Sequence, residues 1–227
     1  MDIIGKEIIL HLGPIGFKRI ISFSFLFIPQ KQLHLFITYL KRLQQAGLNP
    51  PVRHAANSAA LIDMPQSHFD MVRPGIAIYG LYPSDEVRKK KLTLKPAMML
   101  KARIVHLKKV PAGFKVSYGV THETQKPTTI ATVPVGYADG LNRLLSSRGQ
   151  MLVHGQRVPI IGRVCMDLTM LDVGGIADVS LEDEVVVFGR QGEACLTADD
   201  IASDLETINY EIVSTIAGRV PRIYQKS

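Results

Sequence analysis

The chain has 227 residues, enough for one large domain or two small ones with a sizeable core. Its 46% apolar content is that of a globular protein, and 27 Lys and Arg against 20 Asp and Glu leave a net charge of +7. The positive residues are mostly scattered and no recognised binding motif accompanies them, so no nucleic-acid partner is expected. Two cysteines, Cys165 and Cys195, make neither a disulfide framework nor a zinc site and point to a reducing cytoplasm.

Residues 1–28 are rich in Ile and Phe, carry no clear period and are left unassigned. The apolar run 20–28 reads as a buried strand. It is too short to cross a bilayer, which takes about 20 apolar residues, and no membrane association is expected. From Lys31 the spacing of Leu33, Phe36, Ile37, Leu40, Leu43 and Gln44 predicts a helix, closed by Gly47 and stopped by Asn49-Pro50-Pro51. A strand at 52–55, a helix at 58–64 and a strand at 71–73 follow, the rhythm of a parallel α/β unit. Residues 84–91, with the basic run Arg88 to Lys91, read as a solvated linker. Beyond Ala97 short β-rich runs alternate with Gly, Pro and Asp turns, at 102–107, 129–133, 158–162 and 184–188. Thr197 with Asp199 and Asp200 caps a helix over 198–204, and a last helix runs from 209 to 217. The division is an α/β part over 1–84 and a mainly β part over 95–227.

The chemistry sits in short motifs. Asn57-Ser58-Ala59-Ala60 and Arg73-Pro74-Gly75-Ile76 each follow a strand candidate, and small residues there let backbone N–H groups approach an anion. As the loops after the last two strands of a barrel, they would make Ser58, Gly75 and Ile76 a phosphate cradle. As ordinary turns they would do nothing. Tyr118, in Lys115-Val116-Ser117-Tyr118-Gly119, lies at a strand end where a phenol can take or give a proton. A free phenol ionises near pH ~10, so as a base it needs positive charge or hydrogen bonds. The bland alternative is a Tyr that caps a sheet edge. Met166 offers a backbone N–H or fills the core, Tyr137 lines an entrance or fills its Gly-flanked turn, and Tyr210 opens the last helix. His54, His106, His122 and His154 have no metal spacing, and no metal is expected.

The ordered set HAANSAA, DMVRPGIAIYG, KVSYGV, VPVGYADG, GRVCMDLTM and INYEIVSTIAGRVPRIY resembles the C-terminal portion of the alanine racemases, over about residues 30 to 225. The resemblance implies the last part of a (β/α)8 barrel binding pyridoxal 5'-phosphate, then a Greek-key-like β domain. It implies a homodimer whose active sites are shared across the interface. Its activity is interconversion of L-alanine and D-alanine by two-base exchange of the α-proton, which supplies D-alanine for peptidoglycan precursors. By this match Tyr118 is the base acting on the L-enantiomer, and Met166 contacts the substrate carboxylate across the interface. Tyr137 is an entrance residue. Ser58, Gly75, Ile76 and Tyr210 hold the phosphate, and Arg73 bonds the pyridine nitrogen. The sequence departs from the family in showing no lysine in a V-K-A-N-A-Y-G context. The expectation is therefore of a truncated, incomplete racemase, with two alternatives: a catalytically inactive truncated product or dimerisation partner, or a racemase for another small amino acid.

Overall fold

The computed structural model describes residues 27–225, and the expectation of a strand in the run 20–28 falls largely outside them. The chain divides into two compact units, one to Lys95 and one from Pro96. In the first, helix α1 spans Phe27–Gln45. It begins earlier than the apolar spacing predicts, because Pro29 falls in the first turn, where no N–H is needed. Leu33, Phe36, Ile37, Leu40 and Leu43 are half-buried, whereas Gln44 is exposed. Phe36 meets the ring of Phe69 edge-on at 5.3 Å. At the other end Gly47 adopts φ +79°, its N–H bonds Gln44 O, and the Leu48 N–H reaches back to Leu43 O, a Schellman closure.

The two strands expected at 52–55 and 71–73 reduce to a single parallel bridge, His54 with Met71. Prolines at 50 and 51 and the turn at Phe69 leave no room for a longer ladder. The bridge is flanked by Asp70 N–H to Arg53 O and Arg73 N–H to Ala56 O. Between them lies α2, Ser58–Asp63, capped by the Asn57 side chain on the Ala60 N–H. In the stretch read as a solvated linker most side chains are exposed, but Val87 is buried and Arg88 and Lys91 reach α2. The Asp63 side chain, 4% exposed, is bonded by Arg88 Nε at 2.9 Å, and Lys91 Nζ lies 3.9 Å away. A carboxylate buried that far requires paired cations, and the basic run supplies them.

The second unit is mainly antiparallel sheet. Its strands are β1 Leu100–Arg103, β2 His106–Val110, β3 Lys115–Val116, β4 His122–Glu123, β5 Thr128–Val133, β6 Gln150–Val153, β7 Gln156–Ile161, β8 Thr169–Asp172, β9 Glu184–Gln191 and β10 Ala194–Leu196. The order is β1-β9-β6-β7-β8-β5-β2, with β10 on β9 and β3–β4 as a separate hairpin. The single run expected at 102–107 is two strands at opposite ends of that order. The break is at Ile104, which is fully buried and donates its N–H to Asp183 O, while the Val105 N–H goes to Thr132 O. One core cluster joins Leu152, Val186 and Leu196. Another joins Val110, Val116, Ile130 and Ile161, with Phe114 and Met170 against it. Two short helices follow, α3 Ala198–Asp204 and α4 Asn209–Ser214. Helix α3 has a full capping box between Thr197 and Asp200. Helix α4 ends before 217, because Thr215 Oγ1 turns back onto Glu211 O and the Ala217 N–H is taken by Asp139 O.

Candidate active site

Three loops meet at one end of the sheet. β5, β8 and β7 are neighbours, with Val133 opposite Thr169 and Ile161 opposite Met170. The turn after β5 and the loop from β7 to β8 therefore emerge side by side. The β3–β4 hairpin reaches the same place, since Val116 packs with Ile161. Its tip carries Tyr118, the β5 turn carries Tyr137, and the β7–β8 loop carries Met166.

These loops are bonded to one another through the backbone. Ser117 Oγ donates to Arg163 O at 2.9 Å. The Tyr137 N–H donates to Cys165 O and the Ala138 N–H to Met166 O, each at 3.0 Å. Gly136 makes this approach possible: a Cβ there would lie 2.3 Å from both Cys165 O and Met166 O. Backbone conformations rare for side-chain-bearing residues surround Tyr118, with Ser117 at φ +65° and Val120 at φ +49°. They hold the phenol outward, and Tyr118 is 76% exposed. Among the described residues neither its hydroxyl nor the Met166 N–H has a hydrogen-bond partner. Both are available to a ligand.

In the first unit, Ser58, Gly75 and Ile76 do come together. Ser58 Oγ accepts the Gly75 N–H at 3.0 Å and the Ala77 N–H at 3.3 Å. Its own proton and the Ile76 N–H have no acceptor among the described residues. The Gly75 N–H, expected to point at an anion, is instead used on Ser58, and Gly75 serves as a spacer beside which an added Cβ would meet nothing within 4 Å. Arg73 is exposed, and its Nη1 lies 2.8 Å from His54 Nδ1. A guanidinium only donates, so Nδ1 accepts and the imidazole proton sits on Nε2. Tyr210 is half-buried on α4, and burial pushes its phenol above the ordinary tyrosine value, which keeps it a proton donor.

Sequence reasoning read His54 only as a histidine without metal spacing and gave no role to Asp139, Asp167 or Arg219. The Asp in Gly136-Tyr137-Ala138-Asp139-Gly140 had a local signal, an acid three residues after a turn start, and its Oδ2 does accept the Gly136 N–H. Arg219 had none, because its partners lie far away in sequence. No group of metal-ligating side chains occurs among the described residues, and none of their helices is long and apolar enough to cross a membrane.

Comparison with known proteins gives this geometry a lineage. The family described as alanine racemase, C-terminal domain, matches residues 97–224, and its N-terminal domain counterpart matches residues 26–83. The chain is 65% identical over 193 residues to an alanine racemase of Desulfosudis oleivorans, covering 85% of this chain and 50% of that one. It is 49% identical over 193 residues to one of Methanococcus maripaludis, covering 85% and 52%. Among solved structures, alanine racemase of Bacillus anthracis with bound L-Ala-P superimposes with a TM-score of 0.82 at 43% identity, covering 87% of this chain and 50% of that one. The chain belongs to the alanine racemase family, whose members are isomerases. It spans about half the length of the curated relatives it matches.

Proposed function

We propose that this chain carries part of the machinery that interconverts L-alanine and D-alanine, with pyridoxal 5'-phosphate as cofactor. One observation supports it above the others: an exposed, unbonded Tyr118 phenol on a loop tied to the loop that offers the free Met166 N–H. A base and a carboxylate contact held in fixed relation are what α-proton removal from an amino acid requires.

The residues present fit the cofactor at its phosphate end. Ser58 Oγ–H and the Ile76 N–H are unspent donors, the space beside Gly75 is open, and the Tyr210 hydroxyl is protonated and unbonded among the described residues. When bound, the cofactor supplies the electron sink that makes the α-proton acidic. Ser58 and Ile76 would donate to the phosphate, and the family resemblance gives Tyr210 the same role. Arg73, with one guanidinium nitrogen occupied by His54, would hold the pyridine nitrogen with a remaining N–H. Met166 holds the substrate carboxylate, and Tyr118 takes the α-proton from the L face. Tyr137 borders the approach. On this reading the first unit is the closing part of the (β/α)8 barrel and the second is the β domain. Tyr118 and Met166 serve the active site of a second copy in a homodimer, and the product feeds a peptidoglycan precursor in the cytoplasm.

The test is α-proton exchange in deuterated water. Alanine is incubated with the chain and pyridoxal phosphate, and loss of the Cα proton is followed by NMR. Loss of the L-alanine Cα proton above that given by the free cofactor, abolished in Tyr118→Phe, is the expected result. Exchange no faster than the free cofactor refutes the assignment.

A further inference from the structure

One cation holds the Met166 loop and the Tyr137 turn together. Arg219 Nε donates to Asp139 Oδ1 at 2.7 Å, and its Nη2 donates to Asp167. Asp139 closes the turn that carries Tyr137, and Asp167 follows Met166 directly. The Asp139 side chain is 13% exposed, the Asp167 side chain 55%. Each carboxylate raises the guanidinium's affinity for its proton, so the cation is permanent. Remove it, and two carboxylates that met at one guanidinium face each other. Asp139 is fixed by the Gly136 N–H, so the freer Asp167 swings outward and takes the adjoining Met166 peptide with it. Its charge would then also stand uncompensated beside an N–H meant for a carboxylate.

We propose that Arg219 is a positioning residue, which joins Asp139 to Asp167 so that the Tyr137 turn and the Met166 N–H present one fixed surface to the substrate carboxylate. The role assigned to Met166 rests on the racemase reading above; the clamp itself does not. Nothing local marks Arg219 for this, since it reaches its two partners across 80 and 52 residues of sequence.

Amide hydrogen exchange of the whole chain decides it, by mass spectrometry of segments 136–140 and 163–168. In Arg219→Gln both segments should exchange about tenfold faster while β6 and β9 are unchanged, a local opening rather than unfolding. Asp167→Asn added to Arg219→Gln should restore most of the protection, because it removes the repulsion. Arg219→Lys should fall between, having the charge without the two-pronged reach. A residue that merely packs would show no rescue by Asp167→Asn. Unchanged exchange in Arg219→Gln, equal acceleration throughout the β unit, or no rescue in the double variant would each overturn the proposal. In the α-exchange assay Arg219→Gln should raise KM for alanine about tenfold with kcat little altered. A wild-type chain inert in that assay defeats the racemase reading, and the hydrogen-exchange result still decides the clamp.

Discussion

Replacing Gly136 with Ala should separate the Tyr137 turn from the Met166 loop. The backbone at Gly136, φ −147° and ψ −167°, suits any residue, so the added methyl brings no conformational strain of its own. Its cost is contact: the Cβ would sit 2.3 Å from the carbonyl oxygens of Cys165 and Met166. Carbon and oxygen need about 3.3 Å, so the turn must retreat by about 1 Å. That lengthens the 3.0 Å bonds from the Tyr137 and Ala138 N–H groups past the limit of a hydrogen bond. Two backbone bonds at about 1 kcal/mol each, with some disturbed packing, predict a loss of about 2–3 kcal/mol. Gly175→Ala is the control, since a Cβ there meets nothing within 4 Å, and it should stay within about 0.5 kcal/mol of wild type. The chain has no tryptophan, so urea unfolding is best followed by far-ultraviolet circular dichroism. A Gly136→Ala chain as stable as the Gly175→Ala control would refute the reasoning.

Other outcomes follow from the same structure. Arg53 donates Nε, Nη2 and its own N–H to Asp70, and these hydrogen bonds lower the Asp70 pKa to about 2. Because the folded value lies below the unfolded value of about 3.9, the stabilisation is complete above that pH and is lost as pH falls towards about 2. The difference in urea midpoint between wild type and Asp70→Asn should therefore close across that window; a constant difference would speak against the pair. Tyr118→Phe should leave stability within about 0.5 kcal/mol, since the exposed hydroxyl has no partner among the described residues. If the proposed racemase reading holds, it should slow α-proton removal from L-alanine by about a hundredfold or more, and an unaltered rate would remove Tyr118 from that reading. Thr197→Ala removes the acceptor of the 3.0 Å bond from the Asp200 N–H, leaves the backbone bond from the residue 197 N–H to Asp200 in place, and should cost about 1 kcal/mol in the same unfolding assay.

What could be read from the sequence was what local physics controls. The Gly47 closure of α1, the Thr197 cap, and β5, β7 and β9 follow from nearby residues and alternation, and the structure places them within a few residues of expectation. Tyr118 was picked out by its Ser and Gly neighbours, and it does lie exposed at the tip of a hairpin. Long-range pairing was hidden. Residues 84–91 are mostly exposed charge, as they look, but the pairing of Arg88 and Lys91 with the buried Asp63, distant in sequence, is not visible there. The run 102–107 looks like one strand because the bend at Ile104 is dictated by partners around 132 and 183 rather than by any Gly or Pro. Arg219 was invisible for the same reason.

The seam at Ile104 also sets the order in which this unit can be made. β1 takes its partner from β9, Leu100 opposite Phe188, and β2 takes its partner from β5. A ribosome releasing the chain delivers β2 and β5 early, and they can form a local meander at once. β1 must wait with one edge unsatisfied until Phe188 has left the exit tunnel. Closure of so distant a pair is slow, and the waiting edge is open to association with other nascent chains. Slower synthesis between those two points lengthens the time for which that edge stays open.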